Sequence, residues 1–226
     1  MHAYGITDRG LIRENNEDFY AMDDDLGIYI VADGLGGAEF GEVASRLAVE
    51  ALMKYFRAAD RTKSSDAGKL IDGAVENAHQ VVRSGSRGSD MGTTIVLALE
   101  QSPFFWIANV GDSRGYLLRD GQLELITKDH TNVAGNYGAA QQSQRALYQA
   151  LGMSLSEGCF KTRIEVRKQD LILLCSDSLW DMVSDEDIKS ILITAKGIEP
   201  ACQMLVETAK QAGGYDNITL IAIKIE

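Results

Sequence analysis

Val31-Ala32-Asp33-Gly34-Leu35-Gly36-Gly37 closes the apolar run that begins at Ile28, and it passes within one residue from hydrocarbon to carboxylate to glycine. The run 28–32 reads as a buried strand that delivers Asp33 to a glycine-rich turn. Glycine lets the backbone fold tightly there, so a main-chain carbonyl can approach the same ion as the carboxylate. Three further acids share the setting: Asp112 after 107–111, Asp177 after the run 171–176, and Asp216 before Asn217-Ile218-Thr219. One strand-end Asp is ordinarily a turn or cap residue. Asp33 and Asp177 are different, because each follows a run apolar enough to be buried, where an unpaired carboxylate is costly. Together the four point to a cluster of oxygen ligands for hard divalent cations.

The surrounding pattern sets the fold class. Strand-like segments recur at 28–32, 93–99, 104–110, 115–118, 123–126, 160–166, 171–175 and 218–225. Glu100-Gln101-Ser102-Pro103 joins two of them as a hairpin, and Arg119-Asp120-Gly121 joins two more. Helical periodicity predicts a helix over 41–57, with Val43, Leu47, Ala51 and Tyr55 on one face, and another over 67–84, with Leu70, Ala74, Ala78 and Val81. A third is expected from Ser184, and a fourth from near Pro200 to Gly213-Gly214. Hairpins interrupted by helix pairs favour antiparallel sheets flanked by helices over a wound parallel sheet. No linker divides the 226 residues, and the acids run from one end of the chain to the other, so a single domain over 1–226 is expected.

A formal charge of −11 disfavours nucleic acid and anionic membranes as partners. Neither buried acidic run is long enough to cross a bilayer. Met1-His2-Ala3-Tyr4-Gly5 lacks the basic and apolar regions of a signal peptide, so a cytoplasmic protein is expected. Cys159, Cys175 and Cys202 have neither disulfide-like pairing nor zinc-ligand spacing and read as reduced core residues, Cys175 as a small apolar group within its strand. His2 is expected at a loose terminus, His79 on a helix, and His130 in a structural role near the site.

In chain order, Arg13-x-x-Asn16-Glu17-Asp18, Asp33-Gly34-x-Gly36-Gly37, Gly92-Thr93-Thr94, Gly111-Asp112-Ser113-Arg114, Lys128-Asp129-His130-Thr131, Ala150-Leu151-Gly152, Ser176-Asp177-x-x-Trp180-Asp181 and Asp216-Asn217-Ile218-Thr219 resemble the type 2C metal-dependent protein serine/threonine phosphatases, compact bacterial type. The resemblance covers nearly the whole chain. It implies an α+β fold, a sandwich of two antiparallel sheets with helices on both outer faces, and a two-metal site at one end. It also implies that Asp33 bridges both ions, that Glu17 and the Gly34 carbonyl bind the second, and that Asp177 and Asp216 bind the first. Asp18 would position water, Arg13 would bind the substrate phosphate, and Asp112, with Asp177 and Asp181, would hold a weaker third ion.

Oxygen-only ligands select manganese or magnesium over zinc, and a water bridging two such ions attacks phosphorus without a covalent enzyme intermediate. The implied function is hydrolysis of phosphoserine and phosphothreonine in proteins, opposing a kinase in bacterial signalling, by a monomer. The alternatives are a phosphatase dedicated to one small regulator in a partner-switching circuit and a non-catalytic metal-binding scaffold. Three departures from the family pattern stand out. Leu35 occupies a position where some members carry a histidine proposed as general acid, Ser178 replaces a glycine, and the small, polar segment 132–144 is a short flap expected to be mobile and to contribute little to substrate choice.

Overall fold

The computed structural model describes residues 1–36, 40–59, 66–86, 90–133 and 145–226. Its strands are β1 (His2–Asp8), β2 (Asp18–Asp23), β3 (Ile28–Leu35), β4 (Gly92–Thr93), β5 (Ile95–Gln101), β6 (Phe104–Val110), β7 (Arg114–Arg119), β8 (Gln122–Leu125), β9 (Thr131–Val133), β10 (Arg145–Leu147), β11 (Phe160–Glu165), β12 (Leu171–Cys175) and β13 (Ile218–Lys224). The helices are α1 (Phe40–Ala58), α2 (Ala67–Gly85), α3 (Asp177–Met182), α4 (Asp185–Thr194) and α5 (Ile198–Gln211). One sheet runs β1-β13-β12-β7-β8 and the other β11-β6-β5-β3-β2, with β4 attached to β3 and β9-β10 as a separate ribbon. All pairings between these strands are antiparallel.

Period-two alternation assigns each strand residue to a layer. Tyr29, Val31, Val96, Ala98 and Ile107 of one sheet meet Leu117, Ile172, Leu174, Ile221 and Ile223 of the other in the central core. The alternate residues Ile28, Ile30, Ala32, Leu97 and Val110 pack under α1 and α2. Leu171, Leu173, Cys175, Leu220 and Ala222 pack under α3, α4 and α5. The four layers are thus helices, sheet, sheet, helices, as the α+β expectation requires. Runs such as 171–175, all buried, are apolar at every position because both faces of the sheet are covered.

Several local readings are corrected. β1 and β2, both edge strands, were not among the expected strands; their partly exposed, mixed residues show no clear alternation. His2 is not loose but paired with Lys224. The buried stripe of α1 is Ala44, Ala48, Leu52 and Phe56, one position on from the expected face, and Val43 is 45% exposed. In α2 the stripe is Ile71, Ala74, Ala78 and Val82, with Leu70 and Val81 only partly covered. The one-turn-plus helix α3 was not anticipated. Ser184 caps α4, accepting the Asp187 amide at 3.2 Å, and three acids fill its first turn. Of segment 132–144, Asn132 and Val133 lie in β9, and 134–144 fall outside the described residues.

Candidate metal centre

Antiparallel order brings the acids to one end of the sandwich. β3, β6 and β12 run toward that end, and β2, β7 and β13 start from it. Asp18 at the start of β2 is therefore the direct register partner of Asp33 in β3. Asp112 lies between β6 and β7, Asp177 opens α3 after β12, and Asp216 precedes β13. The two sheets meet at this end, because the charges of Asp18, Asp177, Asp112 and Asp216 all act on Asp33.

Each acid is held by its backbone. The Asp33 carbonyl accepts the Thr94 amide at 2.8 Å and the Thr93 hydroxyl at 2.8 Å, and the Asp33 amide donates to Thr94 Oγ1 at 3.2 Å. Thr94 Oγ1 is in turn 2.6 Å from Ser113 Oγ, which ties the Asp33 strand to the turn carrying Asp112. The Gly34 amide donates to the Glu17 carbonyl at 3.1 Å. A Cβ at Gly34 would collide with the Gly41 and Glu17 carbonyls, and one at Gly41 would lie 2.7 Å from Glu17 Oε2, so both glycines make room for the Glu17 loop. The Asp18 carboxylate accepts Ser176 Oγ at 2.9 Å. Ser178, the departure from glycine, donates through Oγ to the Asn217 carbonyl, joining the start of α3 to the Asp216 turn.

Asn217 and Arg114 were quoted in the motifs without a role, and His130 fills the structural role expected of it. Buried Asn217 accepts the Glu17 amide at 2.7 Å and donates from Nδ2 to the carbonyls of Arg9 and Asn15, each at 2.9 Å. One amide side chain thereby shapes the loop carrying Arg13 and Glu17. Arg114 makes a forked pair with Asp129, Nη2 to Oδ2 at 2.7 Å, and lies 3.6 Å over the Trp180 ring, while Trp180 Nε1 donates to the Asp112 carbonyl at 3.1 Å. Buried His130 accepts the Gly111 amide at Nδ1, 3.0 Å, and desolvation holds its pKa below the ordinary value. His130 thus shapes the backbone before Asp112 as a neutral ring.

Among the described residues, no three His, Cys, Asp or Glu side chains are gathered closely enough to form a ready metal cage. The acids are nevertheless near enough to act strongly on one another. Burial first, then the neighbouring carboxylates, raise Asp33 well above the ordinary range; burial likewise raises Asp18, and burial followed by Asp216 raises Asp177. Asp112 is pushed up to about 7 by burial and then by Asp177. Glu17 is raised by burial, against the opposing charge of Arg13. Arg13 Nη2 pairs with Asp216 Oδ2 at 2.7 Å on the exposed rim. Exposed Asp181 accepts a hydrogen bond from Tyr215 and sits near enough to raise Asp177. An all-oxygen donor set of this charge fits divalent manganese or magnesium.

Raised carboxylates set a pH dependence for the metal-free protein. The folded state keeps protons that the unfolded chain releases from its ordinary value of 3.8, so stability falls as pH rises toward the folded value of about 7 for Asp112. In chelator, Tm should fall by several degrees between roughly pH 4 and pH 7. Manganese should reverse most of that loss by binding the ionised forms. A chelator-treated Tm that rises across this window would contradict the arrangement.

The family model described as protein phosphatase 2C matches residues 12–214. The chain is 33% identical over 241 residues to the serine/threonine phosphatase stp of Listeria welshimeri, covering 99% of this chain and 96% of that protein. It is 36% identical over 232 residues to the serine/threonine protein phosphatase PstP of Mycobacterium tuberculosis, covering 97% of this chain and 44% of that longer protein. The fold superposes on the crystal structure of M. tuberculosis PstP/Ppp with a TM-score of 0.87 at 33% identity, covering 100% of this chain and 98% of that one. For the PstP catalytic domain in complex with two manganese ions the TM-score is 0.84 at 34% identity, with the same coverage. The fold and acid cluster are those of a metal-dependent phosphatase. The chain belongs to the protein phosphatase 2C family, and it is a protein serine/threonine phosphatase.

Proposed function

We propose that Glu17, Asp33, the Gly34 carbonyl, Asp177 and Asp216 hold two manganese or magnesium ions, in a single catalytic domain spanning 1–226, and that the substrates are phosphoserine and phosphothreonine proteins of a bacterial kinase circuit. The observation that carries the reading is the convergence on Asp33, with Asp18 opposite it in register and Asp177, Asp112 and Asp216 near enough for their charges to act on it. The bound ions would supply an acidified water and neutralise phosphate oxygens. The protein's own part is to orient and to bind. Asp18, anchored by Ser176, orients water toward phosphorus, and Arg13 presents its planar fork to phosphate oxygens from the rim. The phosphorus–oxygen ester bond breaks, the water oxygen takes its place, and the serine or threonine oxygen leaves with a proton drawn from solvent, since Leu35 has none to give. Buried Cys175 lies in the core cluster, with its thiol pushed above the ordinary range by burial, and takes no part.

Manganese-dependent turnover of a phenyl phosphate ester and of phosphothreonine peptides, abolished by chelator, is the expected result. Turnover unaffected by chelator would overturn the reading. Arg13→Ala should raise KM about tenfold with kcat changed much less, because the clamp binds ground and transition states alike. Unchanged KM and kcat would reduce Arg13 to a surface charge. Asp112 would hold a weaker third ion with Asp177 and Asp181, so calorimetry should count one manganese fewer in Asp112→Ala than in the parent. An equal count would remove Asp112 from the ligand set. A monomer in the cytoplasm is the simplest state for this enzyme. No described helix is long and apolar enough to cross a membrane. Gel filtration at a dimer's volume would contradict the monomer, and recovery with the membrane fraction the location.

A further inference from the structure

A cavity of about 210 Å³ is lined by Leu35, Leu147, Tyr148, Gln149 and Met153, with Asp90 and Ser154 also in its walls. Its position relative to Asp33 is fixed by the strand. Asp33 and Leu35 are two apart in β3, so they face the same side, about 7 Å apart along the chain. The opposite wall is tied to the same strand. Leu35 pairs with Gly92 and Gly34 with Thr93. Thr93 exchanges backbone hydrogen bonds with Leu151, at 3.1 Å and 2.9 Å. Met153 lies against Gly92 where any Cβ would fall 2.7 Å from its Cγ, so this glycine lets the thioether side chain settle across the strand from Leu35.

Tyr148 and Gln149 in the wall are already engaged elsewhere. The Tyr148 hydroxyl donates to Glu157 Oε2 at 3.1 Å. Gln149 donates from Nε2 to the Gly158 carbonyl at 2.7 Å and accepts the Glu157 amide at Oε1, 2.8 Å. What the cavity offers a visitor is therefore the hydrocarbon of Leu35, Leu147 and Met153, the last 54% exposed, beside the carboxylate of Asp90. An aliphatic side chain can be buried there, and an acidic one would meet the like charge of Asp90.

We propose that this cavity is a specificity subsite that takes an aliphatic side chain of the substrate protein within two residues of the phosphorylated serine or threonine. The assignment rests on the phosphatase reading above. An extended peptide advances about 3.3 Å per residue, so the 7 Å between Asp33 and Leu35 is the reach of two residues. The occupant is part of the substrate because the cavity and the reaction centre lie on one face of one strand. Substrate choice then comes from Leu35 and the 147–153 wall, rather than from colocalisation alone.

The test uses the full chain with manganese and one phosphothreonine peptide in which Leu, Ala or Asp is placed in turn at each of the four positions within two residues of the phosphothreonine. At one position the Leu peptide should exceed the Ala peptide in kcat/KM by about tenfold, with Asp poorer than Ala. Met153→Glu should reduce that Leu-to-Ala ratio to about twofold or less, and Met153→Leu should keep it. Equal kcat/KM for the Leu and Ala peptides at all four positions in the parent, or a ratio unaltered in Met153→Glu, would overturn the subsite. Hydrolysis of a phenyl phosphate ester by the same preparation reports separately on the phosphatase reading.

Discussion

Asp33→Asn is expected to lower kcat about a thousandfold, the equivalent of the several kcal/mol that divalent ions contribute to phosphate transfer. The substitution keeps shape and leaves the backbone anchors through Thr93 and Thr94 in place, since these are made by the main chain of residue 33. What it removes is a negative charge at the point where Asp18, Asp177, Asp112 and Asp216 converge. An amide cannot serve as an anionic bridge between two cations. Loss of activity through unfolding is separable from loss of chemistry, because the missing charge is one that burial and its neighbours disfavour. In chelator, Asp33→Asn should be at least as stable as the parent at pH 7, while manganese should raise its Tm much less. Activity within tenfold of the parent would place the reaction somewhere other than around Asp33.

The largest structural loss is expected at Asn217. Its side chain satisfies the Glu17 amide and the Arg9 and Asn15 carbonyls, and the residue is only 3% exposed. Asn217→Ala leaves these groups without partners, each costing about 1–3 kcal/mol unless water enters. A loss of about 3 kcal/mol, or a fall in Tm of roughly 10 °C, is the expected result by thermal unfolding. Because the freed loop carries Arg13 and Glu17, the variant should also need more manganese for half-maximal activity. Asn217→Asp keeps an acceptor for the Glu17 amide but sets a buried carboxylate against both carbonyls, and should lose at least as much. A Tm within about 2 °C of the parent would show that the loop is held by other contacts.

What could be read from residues alone followed burial. Strands covered on both sides, such as 104–110 and 171–175, announce themselves as apolar runs, and the abrupt change from hydrocarbon to acid marked Asp33 and Asp177. β1 and β2 were not read as strands although the edge strands β8 and β11 were; they have neither an apolar run like 171–175 nor a turn like Asp120-Gly121, which marked β8. The error in the α1 face has a different origin. Val43 is a stronger hydrophobe than Ala44 or Ala48, yet the small residues are those that let the helix lie close against its sheet, so side-chain hydrophobicity pointed one position away from the packed stripe. At the site the acids could be singled out, but not the groups that set them. Asn217, Ser176, Thr94 and the Arg114–Trp180 stack join residues 19 to 208 positions apart, and only the closed sandwich brings such partners together. Ser178 stood out only as a departure from glycine; its hydrogen bond to the Asn217 carbonyl makes it a clasp between two acidic turns.

The central claim is that this acid-lined end of the sandwich binds two ions through Asp33. Anomalous X-ray scattering at the manganese edge, from crystals grown with manganese, tests it most directly. The account predicts two strong peaks about 3.5–4 Å apart with the Asp33 carboxylate between them, flanked by Glu17 and the Gly34 carbonyl on one side and by Asp177 and Asp216 on the other. A single peak not in contact with Asp33, or no peak at this end of the molecule, would contradict it.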